Sequence, residues 1–260
     1  MTQIDTKRRV GYALVSLAVI VIIWEFIALA VVQNKFILPS CTQVVAAFIP
    51  ILETGQLYRD LWVSLIHFSI GMFLSLFIGL PLGICMGWFS RVNHFLNPIV
   101  EIVRPIPPLA FIPFAIVWFG LTDFSAGFVV FVGAVFPIII NTYAGFSEVP
   151  KVFIDAGKVL GCTSNLRQIR SIAFPAAMPH MVSGFRVACG TAWMCLVGAE
   201  MFGVSRFGLG QKIWWYYNLH QMDKVLVYIL ILGFIGLALD TLFRWYIDKT
   251  LLKWKIAEVN

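Results

Sequence analysis

Six largely apolar stretches, each long enough to cross a lipid bilayer, constrain the fold of this 260-residue chain more than any other feature. A transmembrane helix needs about 20 mostly apolar residues, and the stretches cover residues 10–32, 61–89, 95–121, 127–146, 181–202 and 225–247. Only 12% of the residues are charged, about half the share in an ordinary soluble domain. With no internal repeat and no low-complexity linker, the sequence predicts an all-α membrane protein whose residues 1–260 form one domain.

The first apolar stretch resembles a signal peptide at both of its ends. Lys7-Arg8-Arg9 precede it, and Ala28-Leu29-Ala30 has the small-residue pattern of a cleavage site. The apolar part of a signal peptide is only about 7–15 residues long, so we interpret residues 10–32 as a membrane span. Residues 38–52 are apolar but short and contain prolines, which favours a helix outside the bilayer or at its surface.

Lysine and arginine residues give the chain a net charge of +6 but do not form a basic domain, so no nucleic-acid partner is expected. They lie between the apolar stretches, and cytoplasmic loops are enriched in such residues. With both termini in the cytoplasm, the inner segments hold twelve of them and the outer segments five. The inner set is Lys7, Arg8, Arg9, Arg91, Lys151, Lys158, Arg167, Arg170, Arg244, Lys249, Lys253 and Lys255, and the outer set is Lys35, Arg59, Arg206, Lys212 and Lys224.

Catalytic and nucleotide-binding motifs are absent from the sequence. His67, His94, Glu101 and Asp123 could supply an intramembrane active site, but they do not have the spacing of a known catalytic motif. The glycine-rich loop and lysine that cradle ATP phosphates are also missing. We therefore expect a protein that is not an enzyme and binds no cofactor.

The segment between the fourth and fifth stretches, residues 147–180, is too polar to insert into a bilayer and is expected to contact another protein. Pro150 suits the start of a helix and Gly161 its end. The segment contains Asp155-Ala156-Gly157, then Gly161, then Ile172-Ala173-Phe174-Pro175. This pattern resembles the EAA loop of ABC importer permeases, with Asp and Gly in place of Glu and Ala and one additional residue between Gly161 and Pro175. We call residues 147–180 the coupling loop.

Further motifs are similar to one branch of these permeases, the nitrate, sulfonate and taurine importers, and extend the resemblance over about residues 60–250. They are Gly79-Leu80-Pro81-Leu82-Gly83, Met86-Gly87, Pro98-Ile99-Val100-Glu101, Arg104-Pro105-Ile106-Pro107-Pro108-Leu109-Ala110, Trp118-Phe119-Gly120, Gly184-Phe185-Arg186 and Ala199-Glu200-Met201.

The resemblance implies a six-helix permease in the inner or plasma membrane of a prokaryote, with its coupling loop in the cytoplasm between helices 4 and 5. It implies two ATPase subunits that bind ATP and Mg, a second permease copy forming a homodimer, membrane lipid, and an extracytoplasmic solute-binding protein. The expected substrate is a small anion such as nitrate, taurine or an alkanesulfonate. Bicarbonate, a thiamine precursor, or ion-gradient-driven secondary transport remain alternatives. The residues expected to couple to the ATPase are Asp155, Ala156, Gly157, Gly161 and Pro175.

Prolines in the third stretch predict a break in that span. Pro105, Pro107, Pro108 and Pro113 cannot all lie in one continuous helix, and broken backbone at membrane depth occurs beside protein or a water-filled cavity. A half-helix restarting near Pro107 or Pro108 would direct its positive dipole end, together with Arg104, at an anion. The alternative is a kink near the cytoplasmic surface with Arg104 extending to lipid phosphates.

Two charged residues in the fifth stretch require partners or a function. Arg186 and Glu200 lie fourteen residues apart, about 21 Å along a helix, so they cannot pair with each other. We expect Arg186 to pair with Glu101, and Glu200 to lie near the outer end at a gate or a binding-protein contact. Both are also candidate residues of the translocation pathway, with Arg104, Pro105, Pro107 and Pro108. Single polar residues in other spans, Glu25, His67 and Asp240, are expected at packing or interface positions. A glycine series in the second span is expected at a helix–helix contact; it consists of Gly79, Gly83 and Gly87.

Overall fold

The structure is a computed structural model that describes residues 6–250, and every regular element in that range is helical. Residues 1–5 and 251–260 of the expected domain, including Lys253 and Lys255, lie outside the described residues. The α-helices are α1 Thr6–Phe26, α2 Cys41–Glu53, α3 Gln56–Trp88, α4 Ser90–Val103, α5 Ile112–Phe119, α6 Asp123–Ser147, α7 Lys151–Val159, α8 Asn165–Gln168, α9 Phe174–Met201, α10 Leu209–Asn218 and α11 Met222–Thr250. A 3₁₀ turn, Pro108–Phe111, precedes α5, and π turns at Ile27–Val32 and Ile169–Ala173 follow α1 and precede α9.

Five helical segments in the described range are long and apolar enough to cross a membrane, and they include α1, α3, α6, α9 and α11. A sixth candidate is a bent pair, Ser90–Val103 followed by Pro108–Phe119 at 88°. These match the six apolar stretches. The largest boundary difference is at the fifth, because helix continues from Asn165 through the π turn into α9, so residues 174–180 of the coupling loop belong to the spanning helix.

Helix α6 lies at the centre of the bundle, between α3 and α9, and small residues allow the close approach. A Cβ added to Gly83 would lie 2.6 Å from Thr142 Cβ, and one added to Gly87 would lie 2.5 Å from Phe146 Cβ. Gly79 meets Ile138 in the same way. The glycine series on α3 therefore forms the predicted helix–helix contact.

The N-terminal part of the chain packs on the outside of this central layer. Glu25 on α1 accepts hydrogen bonds from the backbone N–H of Cys41 and the hydroxyl of Thr42, at 2.7 and 2.9 Å. Ser40 and Gln43 form a reciprocal capping box at the start of α2. The carboxylate thus ties α1 to the first turn of α2, which is the packing position expected for Glu25. Asp240, expected in a similar position, pairs with Arg244 one turn further along α11.

Coupling loop and candidate translocation groove

The break between α4 and α5 lies where the prolines predict it. α4 ends at Val103, and helical structure restarts with Pro107 as the N-cap and Pro108 in the first turn. Pro113 lies in the first turn of α5. Proline is tolerated at these positions because the first N–H groups of a helix have no intrahelical acceptor.

The helix that restarts after the break contacts α6 near the middle of that helix. A Cβ added to Gly133 would lie 3.7 Å from Pro108 Cγ, so the restarted helix meets α6 at Gly133. That residue is ten positions from Asp123 and fourteen from Ser147, about 15 Å and 21 Å along the helix. Pro108 therefore lies beside the middle of α6 and not beside either of its ends.

A groove of about 430 Å³ opens beside the break. Arg104 and Pro108 form one wall, and α6 and α9 form the others. Among the described residues that line it, Arg104 alone carries a formal charge, and its side chain is exposed. The polar groups opposite are already bonded within the bundle, because Asn141 donates to the Pro137 carbonyl and Thr191 to the Gly133 carbonyl. The remaining lining is apolar.

Arg186 does not pair with Glu101, so that prediction is wrong. Glu101 accepts a hydrogen bond from Asn97 at 2.7 Å on its own helix, and within the described residues no ion pair involves Arg186. Its Nε is buried without a hydrogen-bond partner. The reason is the packing order, since α4 lies against α3 while α9 lies against α6. Arg186 also lies outside the groove lining.

Glu200 lies near the end of α9, as expected, and its side chain is fully buried. Its carboxylate accepts from Ser64 Oγ at 2.8 Å and from the backbone N–H of Gly210 at 2.8 Å. His67 Nδ1 lies 2.8 Å away. His67 is therefore a packing residue, as expected, but with specific polar partners that the sequence reading missed.

The coupling loop is a helical hairpin. Pro150 is the N-cap of α7, and Gly161 follows its last turn with φ +87°, a left-handed conformation that favours glycine. Ser164 caps α8, accepting a hydrogen bond from the Arg167 N–H. Both predictions for this segment, the helix start at Pro150 and the stop at Gly161, are confirmed.

Apolar side chains on the coupling loop point away from the bundle. Val159, Leu160 and Leu166 are 87%, 86% and 78% exposed, and Val152 and Phe153 are exposed beside them. Clustered apolar exposure on a polar segment marks a surface that another protein covers. Asp155 lies on the same hairpin and pairs with Lys158 at 3.0 Å, with both side chains largely exposed.

Other expected coupling residues divide into exposed and internal positions. Ala156 and Gly161 are exposed, and Pro175 lies in the first turn of α9. Gly157 is buried, and Ile172 Cδ1 fills the space that a Cβ there would need. The close approach that Gly157 permits in this structure is thus between the two arms of the hairpin.

These features together define a class of protein. A helical bundle with a mid-depth break beside a groove, and with a hairpin whose apolar face is uncovered, is the membrane subunit of a transport system that works with other proteins. The comparisons with known proteins give the family. Residues 79–251 match the family described as binding-protein-dependent transport system inner membrane component, and the chain belongs to this family.

Individual relatives share most of the chain. A Methanocaldococcus jannaschii protein that bears the name of an ABC transporter permease is 40% identical over 89% of this chain and 88% of its own length. The nitrate import permease protein of a Synechocystis species is 31% identical over 87% of this chain and 84% of its own. Other relatives are named as bicarbonate and taurine transport permeases.

A solved structure has the same architecture. A chain from the inward-facing methionine ABC transporter MetNI superposes with a TM-score of 0.58 and 26% sequence identity, covering 74% of this chain and 96% of that one. The expected fold, a helical ABC importer permease, is confirmed, and the protein is a multi-pass membrane protein.

Proposed function

We propose that this chain is the permease subunit of an ATP-driven importer and forms half of the pathway for a small anion. The observation that carries the proposal is the coupling loop, a hairpin with an uncovered apolar face that joins α6 to α9, the two helices that line the groove. A partner that moves the hairpin would move the walls of the groove directly. Hydrolysis of ATP, with its Mg, belongs to that partner, and this chain has no catalytic role.

The ATPase contact uses the apolar patch and Asp155 together. Leu160 and Leu166 would be buried on docking, and each fully buried aliphatic side chain contributes about 1.5–3 kcal/mol. Asp155 pairs with Lys158, and an exposed pair of this kind contributes only about 0–1 kcal/mol. The carboxylate is therefore free to exchange Lys158 for a basic group on the ATPase. We propose that the coupling loop and both chain termini lie in the cytoplasm.

The groove is suited to an anion with a small apolar body. Arg104 supplies a positive charge, and the helix that restarts at Pro108 directs the positive end of its dipole toward the break. Between Arg104 and Pro108, Pro105 and Pro107 hold the chain in a non-helical path. Because the groove is open on one side, a second copy of the chain would complete it, giving a homodimer with two ATPase subunits, surrounded by membrane lipid.

Substrate choice follows from the same groove together with a solute-binding protein outside the membrane. The relatives named for nitrate, bicarbonate and taurine transport all carry small anions or a sulfonate zwitterion. We propose nitrate, taurine or an alkanesulfonate, with bicarbonate or a thiamine precursor as the second candidates.

Reconstitution tests the proposal. The chain is co-expressed with the ATPase and binding protein encoded beside it, purified, and inserted into liposomes. We expect the ATPase to co-purify and labelled anion to accumulate only when ATP is supplied on the coupling-loop side. Uptake by this chain alone in an ion gradient would establish secondary transport instead.

A further inference from the structure

Three polar residues form a buried stripe along one face of α3 at the end opposite the coupling loop, which we call the far end. Asp60, Ser64 and His67 are spaced i, i+4 and i+7, so they share one helix face, and each is fully buried. None of them lines the groove beside Arg104. Polar groups are costly to bury, so their placement requires specific partners.

Together, the residues of the stripe contact several other helices. Asp60 Oδ2 accepts from the Tyr228 hydroxyl on α11 at 3.3 Å. Ser64 Oγ donates to Glu200 on α9 and accepts from the Leu209 backbone N–H at the start of α10, at 2.8 and 2.9 Å. The far end of α3 therefore collects contacts from α9, α10 and α11.

His67 makes the contacts that link the two helices flanking the coupling loop. Its Nδ1 lies 2.8 Å from Glu200 Oε1 near the end of α9, and its Nε2 lies 3.0 Å from Asp123 Oδ1 at the start of α6. The His67 ring thus lies within hydrogen-bond distance of a carboxyl group on each side, one from α9 and one from α6.

We call the two His67 contacts, to Glu200 and to Asp123, the His67 bridge. Between this bridge and the coupling loop, α6 and α9 pack closely. A Cβ added to Gly133 would lie 2.5 Å from Cys195 Sγ, and one added to Gly184 would lie 2.5 Å from Asn141 Cβ. Near the loop, a Cβ at Gly145 would lie 3.1 Å from Ala177 Cβ. The pair is thus joined by the coupling loop at one end, by small-residue contacts along the middle, and by His67 at the far end.

We propose that His67 is a positioning residue for transport. By joining Asp123 to Glu200, it makes the far ends of α6 and α9 move as one body, so that displacement of the coupling loop reaches the far side of the bundle. Without the bridge, the far ends can separate while the loop still moves, and ATP hydrolysis no longer drives transport efficiently. This inference rests on the proposed function, because it requires a partner that moves the coupling loop.

The test removes the contact between His67 and Asp123, which is the more exposed of the two contacts in the bridge. Asp123 is 57% exposed, so Asp123→Ala removes the α6 contact and leaves the buried His67–Glu200 pair in place. Asp223→Ala is the matched control, because Asp223 is also an acidic residue in the first turn of a spanning helix. Asp123→Asn keeps an acceptor oxygen and serves as the conservative variant.

Each variant is reconstituted with its partner ATPase and binding protein, and anion transported per ATP hydrolysed is measured. We expect Asp123→Ala to lower this ratio about two- to fivefold, because an ion pair with a half-exposed partner is weak, with hydrolysis itself changed less than about twofold. Asp223→Ala should leave the ratio unchanged, and Asp123→Asn should recover much of it. An unchanged ratio in Asp123→Ala, or a parallel loss of transport and hydrolysis, would overturn the proposal.

A distance measurement gives a second readout. Spin labels are placed in a cysteine-free background at Phe124 on α6 and Phe202 beside α9, both exposed at the far end. In the parent, the label distance should be the same with and without bound ATP, and in Asp123→Ala it should broaden or shift. A label distance that changes on ATP binding in the parent protein would overturn the proposal that the far ends of α6 and α9 move as one body. If the parent complex shows no ATP-driven uptake, the proposed function fails instead.

Discussion

Gly157 and Ile172 hold the two arms of the coupling loop together, because Ile172 Cδ1 occupies the space beside the glycine Cα where any other residue would place its Cβ. Gly157 is buried on α7, and Ile172 lies in the π turn that leads into α9. The position of the exposed apolar face therefore depends on a contact inside the loop.

Gly157→Leu should separate the two arms and displace the apolar face. Overpacking of this kind costs about 1–3 kcal/mol, and we expect loss of ATPase co-purification without loss of membrane insertion. The double variant Gly157→Leu with Ile172→Ala removes the obstruction and should restore much of the binding. Gly190→Ala, at a position with open space around the glycine, is the neutral control. Full ATPase binding by Gly157→Leu would contradict the interlocking role.

Asp155→Lys should abolish both ATPase assembly and transport while the protein still inserts into the membrane. The substitution places a second cation beside Lys158 and repels the basic group expected on the ATPase. Lys158→Ala is the control, since it removes the internal partner and leaves the carboxylate available. Co-purification and uptake are measured together, and normal uptake by Asp155→Lys would refute the coupling role of this residue.

Arg104→Ala should reduce anion uptake about tenfold, because a hydrogen bond to a charged group contributes about 1.5–3 kcal/mol. Arg104→Lys should retain part of the activity, since it keeps the charge but not the planar fork. The matched control is Arg91→Ala, which removes an exposed arginine from the first turn of the same helix. Initial uptake rates over a range of substrate concentrations provide the measurement. Unchanged uptake would support a lipid-facing role for Arg104.

Glu200→Ala should destabilise the folded protein by about 3–5 kcal/mol, the cost of breaking a buried pair by removing one partner. It leaves Ser64, His67 and the Gly210 N–H without their acceptor. Glu101→Ala, which removes an exposed carboxylate that accepts from Asn97 on the same helix, should leave the unfolding temperature unchanged. Thermal unfolding in detergent compares the two. Equal stability of both variants would show that the buried network contributes little.

The sequence reading succeeded where the determining residues are close together in the chain. The break at Pro105 to Pro108, the helix start at Pro150 and the stop at Gly161 each depend on backbone preferences of a few neighbouring residues. The reading missed the stripe of Asp60, Ser64 and His67, although its i, i+4, i+7 spacing in an apolar span was a visible signal. Of the three, the sequence analysis names only His67, as a single polar residue at a packing position.

Apolar runs of bilayer length and the pattern of the coupling loop determined the class of this protein, because both signals are carried by consecutive residues. The tertiary structure decided which charged groups meet. His67 reaches partners 133 and 56 positions away in sequence, and Arg186 does not meet Glu101, because helix packing sets which faces adjoin. Local spacing places a side chain on a helix face, and only the packing of α3, α6 and α9 brings those faces together.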